Sequence, residues 1–122
     1  MAELPETETK GTIVNIARRE QWEQERRAGA YRGTTLDAEG FIHCSDPDQV
    51  VAVANALYAG QQGLVLLCID PARLQAELRY ELAKNGQRYP HIYGPLNVDA
   101  VTQVLEFAPD GDGRFSLPPG LQ

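Results

Sequence analysis

The chain has 122 residues, 43% of them hydrophobic, and a formal net charge of −6. This length and composition predict a soluble protein with one domain and one core. No apolar run approaches the roughly 20 residues that a membrane helix needs. The acidic, polar N-terminus lacks the apolar segment of a secretory signal, so we expect a cytoplasmic location.

The positive charges form no concentrated surface in the sequence. The arginine pairs Arg18/Arg19 and Arg26/Arg27 lie on a predicted amphipathic helix, where a solvated face is the ordinary interpretation. Because binding to a nucleic-acid backbone needs a dense basic surface, a nucleic-acid partner is disfavoured. A small anionic or nucleotide ligand remains compatible, since two or three donors suffice to hold it. The oligomeric state is not determined by these features.

The first half of the chain predicts alternating strands and helices. Residues 1–11 form an expected flexible leader, and the β-branched run at 12–17 predicts a strand. Residues 18–29 predict a helix with Trp22 on its inner face and Gly29 near its end. A loop follows to Gly40, which opens a short strand containing Phe41, Ile42 and His43.

A helix start is signalled most clearly at Ser45-Asp46-Pro47-Asp48. Serine is a good N-cap, proline fits a first turn, and aspartates complement the positive helix end. This pattern predicts a helix that buries several apolar residues and ends near Gly60. The hydroxyl of Ser45 has two open roles, the cap itself or a contact with a ligand. The apolar residues that this helix is expected to bury are Val50, Val51, Val53, Ala54 and Leu57.

The second half of the chain predicts mostly strands. The order of elements over the whole chain predicts an α+β fold. The apolar run at 64–69 predicts a central strand buried on both faces, followed by a helical turn capped by Asp70. The turn Asn85-Gly86 predicts a hairpin between 78–82 and 88–93, and 101–107 predicts a last strand. We expect a single domain at 12–108 and a loose tail at 109–122.

The two cysteines do not form a metal-binding or redox motif. Cys68 lies within the apolar run and is expected to be a small buried hydrophobe. Cys44 is adjacent to His43, so a reactive thiol has to be considered. Adjacent strand residues face opposite sides, however, so one member of this pair is expected to face away from any cleft.

Both histidines of the chain lie at predicted strand ends, where scaffolds commonly hold working residues. His43 precedes the predicted helix start, where its ring beside backbone N–H groups can contribute to binding a phosphate or carboxylate. The alternative is a core histidine bonded to the backbone. His91 and Tyr93 are two residues apart, so they share one strand face beside Gly94. This face is either a hydrogen-bonding wall of a site or part of a buried aromatic strand, and both interpretations stay open.

Glu81 is the carboxylate best placed to act with them. The hairpin turn brings its strand beside the strand of His91, so Glu81 can serve as a base or a hydroxyl ligand. Ion pairing with Arg79 or Arg88 is the more common fate of such a residue. No histidine spacing supports a metal site, so no metal is expected.

These motifs in this order resemble the domain-of-unknown-function 952 family. The resemblance covers residues 13–107 and depends on four segments: Gly-Phe-Ile-His43-x-Ser45, Leu-Val-Leu-Leu-x-Ile-Asp-Pro-x-x-Leu, Leu-Arg-Tyr-Glu81, and Tyr-Pro-His91-Ile-Tyr93-Gly-Pro-Leu. The family has been grouped with the ADP-ribosyltransferase-like fold, which implies a strongly bent or split, mostly antiparallel sheet with two main helices. It also implies a cleft for NAD or an ADP-ribose-like group, with NAD as a substrate rather than a cofactor.

On this resemblance the predicted catalytic residues are His43, Glu81 and His91, and the predicted substrate-binding residues are Ser45, Tyr93 and Gly94. His43 would contact ribose hydroxyls or a phosphate, and Glu81 would have a polarising role. The usual histidine–tyrosine–glutamate triad of that fold cannot be assigned residue by residue. Three functions therefore stay open: an ADP-ribosyl transferase, a non-catalytic module that binds a small anionic metabolite, and a structural or interaction domain.

Overall fold

The computed structural model describes residues 11–121. The expected leader, residues 1–11, lies outside the described residues except for Gly11. Eleven helices and strands follow in chain order, joined by short 3-10 turns: β1 (Ile13–Arg18), α1 (Arg19–Glu25), β2 (Ala30–Tyr31), α2 (Leu36–Glu39), β3 (Ile42–His43), α3 (Val50–Leu57), β4 (Leu64–Ile69), β5 (Glu77–Leu82), β6 (Arg88–Tyr93), β7 (Leu96–Asn97) and β8 (Val101–Phe107).

The described strands pair in three separate antiparallel sheets. The central sheet has the order β1-β4-β8, a two-stranded sheet joins β2 to β7, and the third sheet has the order β3-β6-β5. The predicted α+β class with a mostly antiparallel, divided sheet is therefore confirmed. The hairpin of β5 and β6 is also confirmed.

Strand β4 separates the core into two clusters. All six of its residues are buried, and alternate residues pack into different clusters because side chains of a strand alternate between faces. Val65, Leu67 and Ile69 pack with Trp22 and residues of the third sheet. The other three pack with α3 and the chain end. The prediction of a central strand buried on both faces is confirmed.

The helix start predicted at Ser45 is wrong. Helix α3 begins at Val50 with Gln49 at its N-cap position, and the side chain of Gln49 makes no capping hydrogen bond. Ser45 instead exchanges two backbone hydrogen bonds of 2.8 Å with Val14 of β1. Pairing with a neighbouring strand satisfies the same backbone groups that a helix start would use. Leu57, expected inside, is 69% exposed at the helix end.

Two other elements differ from expectation. The predicted loop before Gly40 contains strand β2 and helix α2, and Gly40 ends α2 with a φ of 91° rather than opening a strand. The helix predicted at 18–29 is confirmed as α1 and a 3-10 turn that ends at Gly29, with Trp22 buried.

The C-terminal segment packs on the core instead of forming a loose tail. The ring of Phe115 is buried and stacks on Phe107, with 4.6 Å between ring centroids. The backbone N–H of Phe115 donates to the Asn55 side chain at 2.7 Å. In the described part of the chain, no helix is both long and apolar enough to cross a membrane.

Candidate functional site

The third sheet presents one face to the core and one polar, aromatic face. Ile42 and Ile92 are buried on the core side, so the alternating residues lie on the other face. His43 of β3 is directly opposite His91 of β6, and their ring centroids are 5.1 Å apart. The two sequence motifs that contain the histidines therefore meet in one place.

His91 is held from behind by a carboxylate. Its Nδ1 lies 2.7 Å from Oε1 of Glu81, and the hydroxyl of Tyr93 donates to the same oxygen at 2.5 Å. An ionised carboxylate only accepts, so Nδ1 carries the proton and a neutral ring keeps Nε2 as an acceptor. These bonds, first that from Tyr93 and then that from His91, lower the pKa of Glu81. The pKa of Tyr93 is correspondingly raised by its bond to Glu81.

His43 has a second carboxylate partner. Its Nε2 lies 2.9 Å from Oε1 of Glu39, at the end of α2. The expected position beside the N-terminal N–H groups of α3 is wrong, because that helix begins seven residues later. His43 is about half exposed, whereas the side chain of His91 is 14% exposed. The more open ring can therefore meet a ligand from solvent.

Aromatic contacts align this face. Phe41 stacks on His91 with 4.2 Å between centroids and 21° between planes, and it also contacts the rings of His43 and Tyr93. The guanidinium of Arg79 lies 4.4 Å from the ring centroid of Tyr93 and pairs with Glu77 at 2.9 Å. The predicted shared face of His91 and Tyr93 is confirmed. Glu81 bonds to these two residues, and the alternative of an ion pair with Arg79 or Arg88 is not observed among the described residues.

Both histidines line a cleft of about 720 Å³ between the third sheet and α3. Ser45 lines the same cleft, whereas Glu81 and Tyr93 stand behind His91 and do not line it. This volume is in the range of small-molecule sites. Among the described lining residues, the carboxylates are Glu39 and Asp48, and no lysine or arginine lines the cleft. Its electrostatic character therefore disfavours side-chain recognition of a phosphate.

Gly94 has a packing role. Its φ is 155°, and a Cβ there would lie 2.9 Å from the Cβ of Ala76. Real Cβ atoms do not approach so closely, so glycine is required where the end of β6 passes the segment before β5. Gly94 does not line the cleft, and the predicted substrate-binding role gains no geometric support.

Asn15 is a site residue that was not among the candidates from the sequence, as Glu39 also was not. It lies in the middle of β1, is 7% exposed, and also lines the cleft. Its Nδ2 donates to the backbone carbonyl of His43 at 2.7 Å, while its Oδ1 is buried without a hydrogen-bond partner among the described residues. The available signal was the residue type, since asparagine is depleted in strands and stands here in an apolar run.

Neither cysteine has the features of a reactive thiol, although Cys44 lines the cleft. Burial raises the pKa of Cys44 and of Cys68, which keeps both thiols protonated and unreactive. Cys44 is buried and His43 is about half exposed, yet both line the cleft, so the expectation that one of the pair faces away from it is wrong. Within residues 11–121, no group of three or more potential ligands is arranged to hold a metal ion.

Together these features define a small α+β protein with divided antiparallel sheets and an open cleft lined by a carboxylate-supported histidine pair. The chain belongs to the family described as protein of unknown function (DUF952), whose model matches residues 16–104. No curated protein matches the sequence.

The fold is shared with protein CC0527 from Caulobacter crescentus. Its crystal structure superposes with a TM-score of 0.81 at 35% identity, covering 90% of this chain and 97% of that one. Its solution structure gives a TM-score of 0.73 at 36% identity, with 84% and 90% covered. The similarity therefore extends over nearly the whole folded segment of both proteins.

Proposed function

We propose that the cleft binds a ribose-bearing nucleotide of the NAD or ADP-ribose type and that His91 acts there as a general base. The observation that carries the proposal is the 2.7 Å bond between His91 and Glu81 behind the cleft wall. A carboxylate that orients an imidazole and stabilises its protonated form is a recurrent acid–base arrangement. The family resemblance adds the expectation of a nucleotide.

The proposed reaction is ADP-ribosyl transfer. The bond between ribose C1′ and the nicotinamide nitrogen breaks, and nicotinamide leaves with the electron pair. An acceptor hydroxyl, or water, forms the new bond at C1′, and its proton passes to Nε2 of His91. His43 hydrogen-bonds the ribose hydroxyls from the opposite strand. Glu81 and Tyr93 position His91, so Glu81 acts as a positioning residue without touching the substrate.

The charges of the cleft favour one end of the dinucleotide. Glu39 and Asp48 line it without an opposing lysine or arginine among the described residues. Their negative field attracts the positively charged nicotinamide riboside and stabilises the cationic character that develops at C1′ in the transition state. The pyrophosphate then extends away from these carboxylates, toward solvent.

NAD turnover by the full chain tests this proposal. Wild-type protein is expected to release nicotinamide from NAD, measured by chromatography with water or a cell extract as acceptor. His91→Ala should lower the rate at least about 10²-fold, since general-base catalysis contributes about that much. Glu81→Gln should lower the turnover rate more than it weakens NAD binding, while Glu20→Gln, an exposed change on α1, leaves both unaltered. Equal rates for His91→Ala and wild type would sink the catalytic role.

A non-catalytic nucleotide-binding module is the second candidate. It is favoured by the position of Glu81, which does not line the cleft, so that His43 and His91 are the predicted catalytic residues that do. Calorimetry with ADP-ribose and NAD separates the two functions. If His91→Ala weakens binding and the wild type releases no nicotinamide, the protein is a binding module and not a transferase. No binding of either compound would contradict both.

A further inference from the structure

The buried floor of the cleft contains a hydrogen-bond acceptor that no group of the described residues satisfies. We define the cleft floor as the buried residues that line it: Val14, Asn15, Tyr31, Ile42, Cys44 and Ser45. Within this floor, Oδ1 of Asn15 is buried and has no hydrogen-bond partner in the described part of the chain. A buried carbonyl oxygen without a partner is uncommon, because its desolvation is then uncompensated.

The orientation of the Asn15 amide is determined by its neighbour. The backbone carbonyl of His43 only accepts, so the group 2.7 Å from it must be the Nδ2 donor. A flipped amide would set two oxygens against each other. Oδ1 is therefore the acceptor without a partner among the described residues, on a side chain that lines the cleft and is bonded to the strand of His43.

The lining of the cleft favours a particular kind of group. Apolar side chains line much of it: Val14, Ile42 and Cys44 in the floor, and Ala52, Val53 and Ala56 of α3. A flat ring that carries an N–H donor satisfies both requirements, because the ring packs on apolar surface while its N–H meets the acceptor.

We infer that Oδ1 of Asn15 recognises an N–H donor on the ligand and that, resting on the function proposed above, this donor is the carboxamide of nicotinamide. Asn15 is bonded to the backbone of His43, next to His91. The ring nearest to the reacting ribose carbon is the nicotinamide. Asn15 therefore acts as a specificity-determining residue that distinguishes a carboxamide from groups of the same shape without an N–H.

The test compares NAD with its 3-acetylpyridine analogue, in which a methyl group replaces the carboxamide nitrogen. Calorimetry on the full wild-type chain is expected to give about tenfold tighter binding of NAD, the size of effect that an unpaired buried acceptor produces. His91→Ala, in which both compounds stay intact, should retain this ratio. Asn15→Leu should bind the two compounds equally.

The outcomes separate this inference from the proposed function. Equal affinities of wild type for the two dinucleotides would overturn the role of Asn15 and leave the nucleotide cleft standing. Binding of neither would overturn both. An unchanged tenfold ratio in folded Asn15→Leu would also contradict the inference. Circular dichroism shows whether Asn15→Leu folds. If it does not fold, the ratio of the two affinities in the wild type is by itself the test of the inference.

Discussion

At the scale of single residues, the site consists of imidazoles paired with carboxylates. His91 and Glu81 are ten positions apart, and His43 and Glu39 are four apart. The residue types and the hairpin register made Glu81 a candidate from the sequence. Glu39 was not a candidate, because helix α2, which brings it to His43, was predicted as a loop.

We expect Glu81 to make stability depend on acidity. Its pKa is lowered in the folded state, so its stabilising contribution is present above the unfolded value of about 4.3 and is lost as the pH falls through the folded pKa. Melting temperatures of wild type and Glu81→Gln should therefore differ at pH 7 and converge below pH of about 4. Glu20→Gln on α1 measures the effect of removing one negative charge elsewhere. A difference that persists unchanged to about pH 3 would contradict the prediction.

At the scale of elements, the hairpin of β5 and β6 and the short strand β3 assemble the site. The Asn85-Gly86 signal predicted the hairpin, because a tight turn is determined by local backbone preferences. The pairing of β3 with β6, which sets His43 opposite His91, joins residues 48 positions apart and has no local signal. The helix start at Ser45 was wrong for a related reason. The backbone N–H and carbonyl of Ser45 bond to Val14 of β1, a strand that is distant in the sequence.

Close packing at the end of β6 yields a testable prediction. Gly94→Ala should destabilise the protein by about 1–3 kcal/mol, as overpacked sites do, because the new Cβ would lie 2.9 Å from the Cβ of Ala76. Chemical denaturation measures the change. In the double variant with Ala76→Gly, part of the loss should be recovered, and what remains reflects the φ of 155°. A double variant no more stable than Gly94→Ala would refute the steric explanation.

At the scale of the whole molecule, two core clusters on opposite faces of β4 hold the sheets together. The second cluster is completed by the C-terminal segment through Phe115. The composition of that segment, rich in glycine, proline and aspartate, suggested a loose tail. The aromatic side chain of Phe115 instead stacks on the ring of Phe107.

Phe115→Ala should therefore behave as a core substitution. We expect a loss of about 3–5 kcal/mol, the cost of removing a buried phenylalanine, measured as the free energy of unfolding in denaturant. Val104→Ala on β8, where the side chain is 42% exposed, is the matched surface control and should cost less than about 1 kcal/mol. A comparably small loss for Phe115→Ala would mean that the tail contributes little to the fold.

The sequence by itself determined the α+β class, the doubly buried strand β4, the hairpin and the motifs that contain the histidines. These features depend on local periodicity and turn-forming residues, which can be recognised in a short segment without knowing its tertiary contacts. Only the tertiary structure decided that His43 faces His91 and that Glu81 stands behind the cleft wall. It also decided that Oδ1 of Asn15 has no hydrogen-bond partner among residues 11–121. Those facts depend on pairing between distant strands, where the partner of a polar group is chosen by packing and not by its position in the chain.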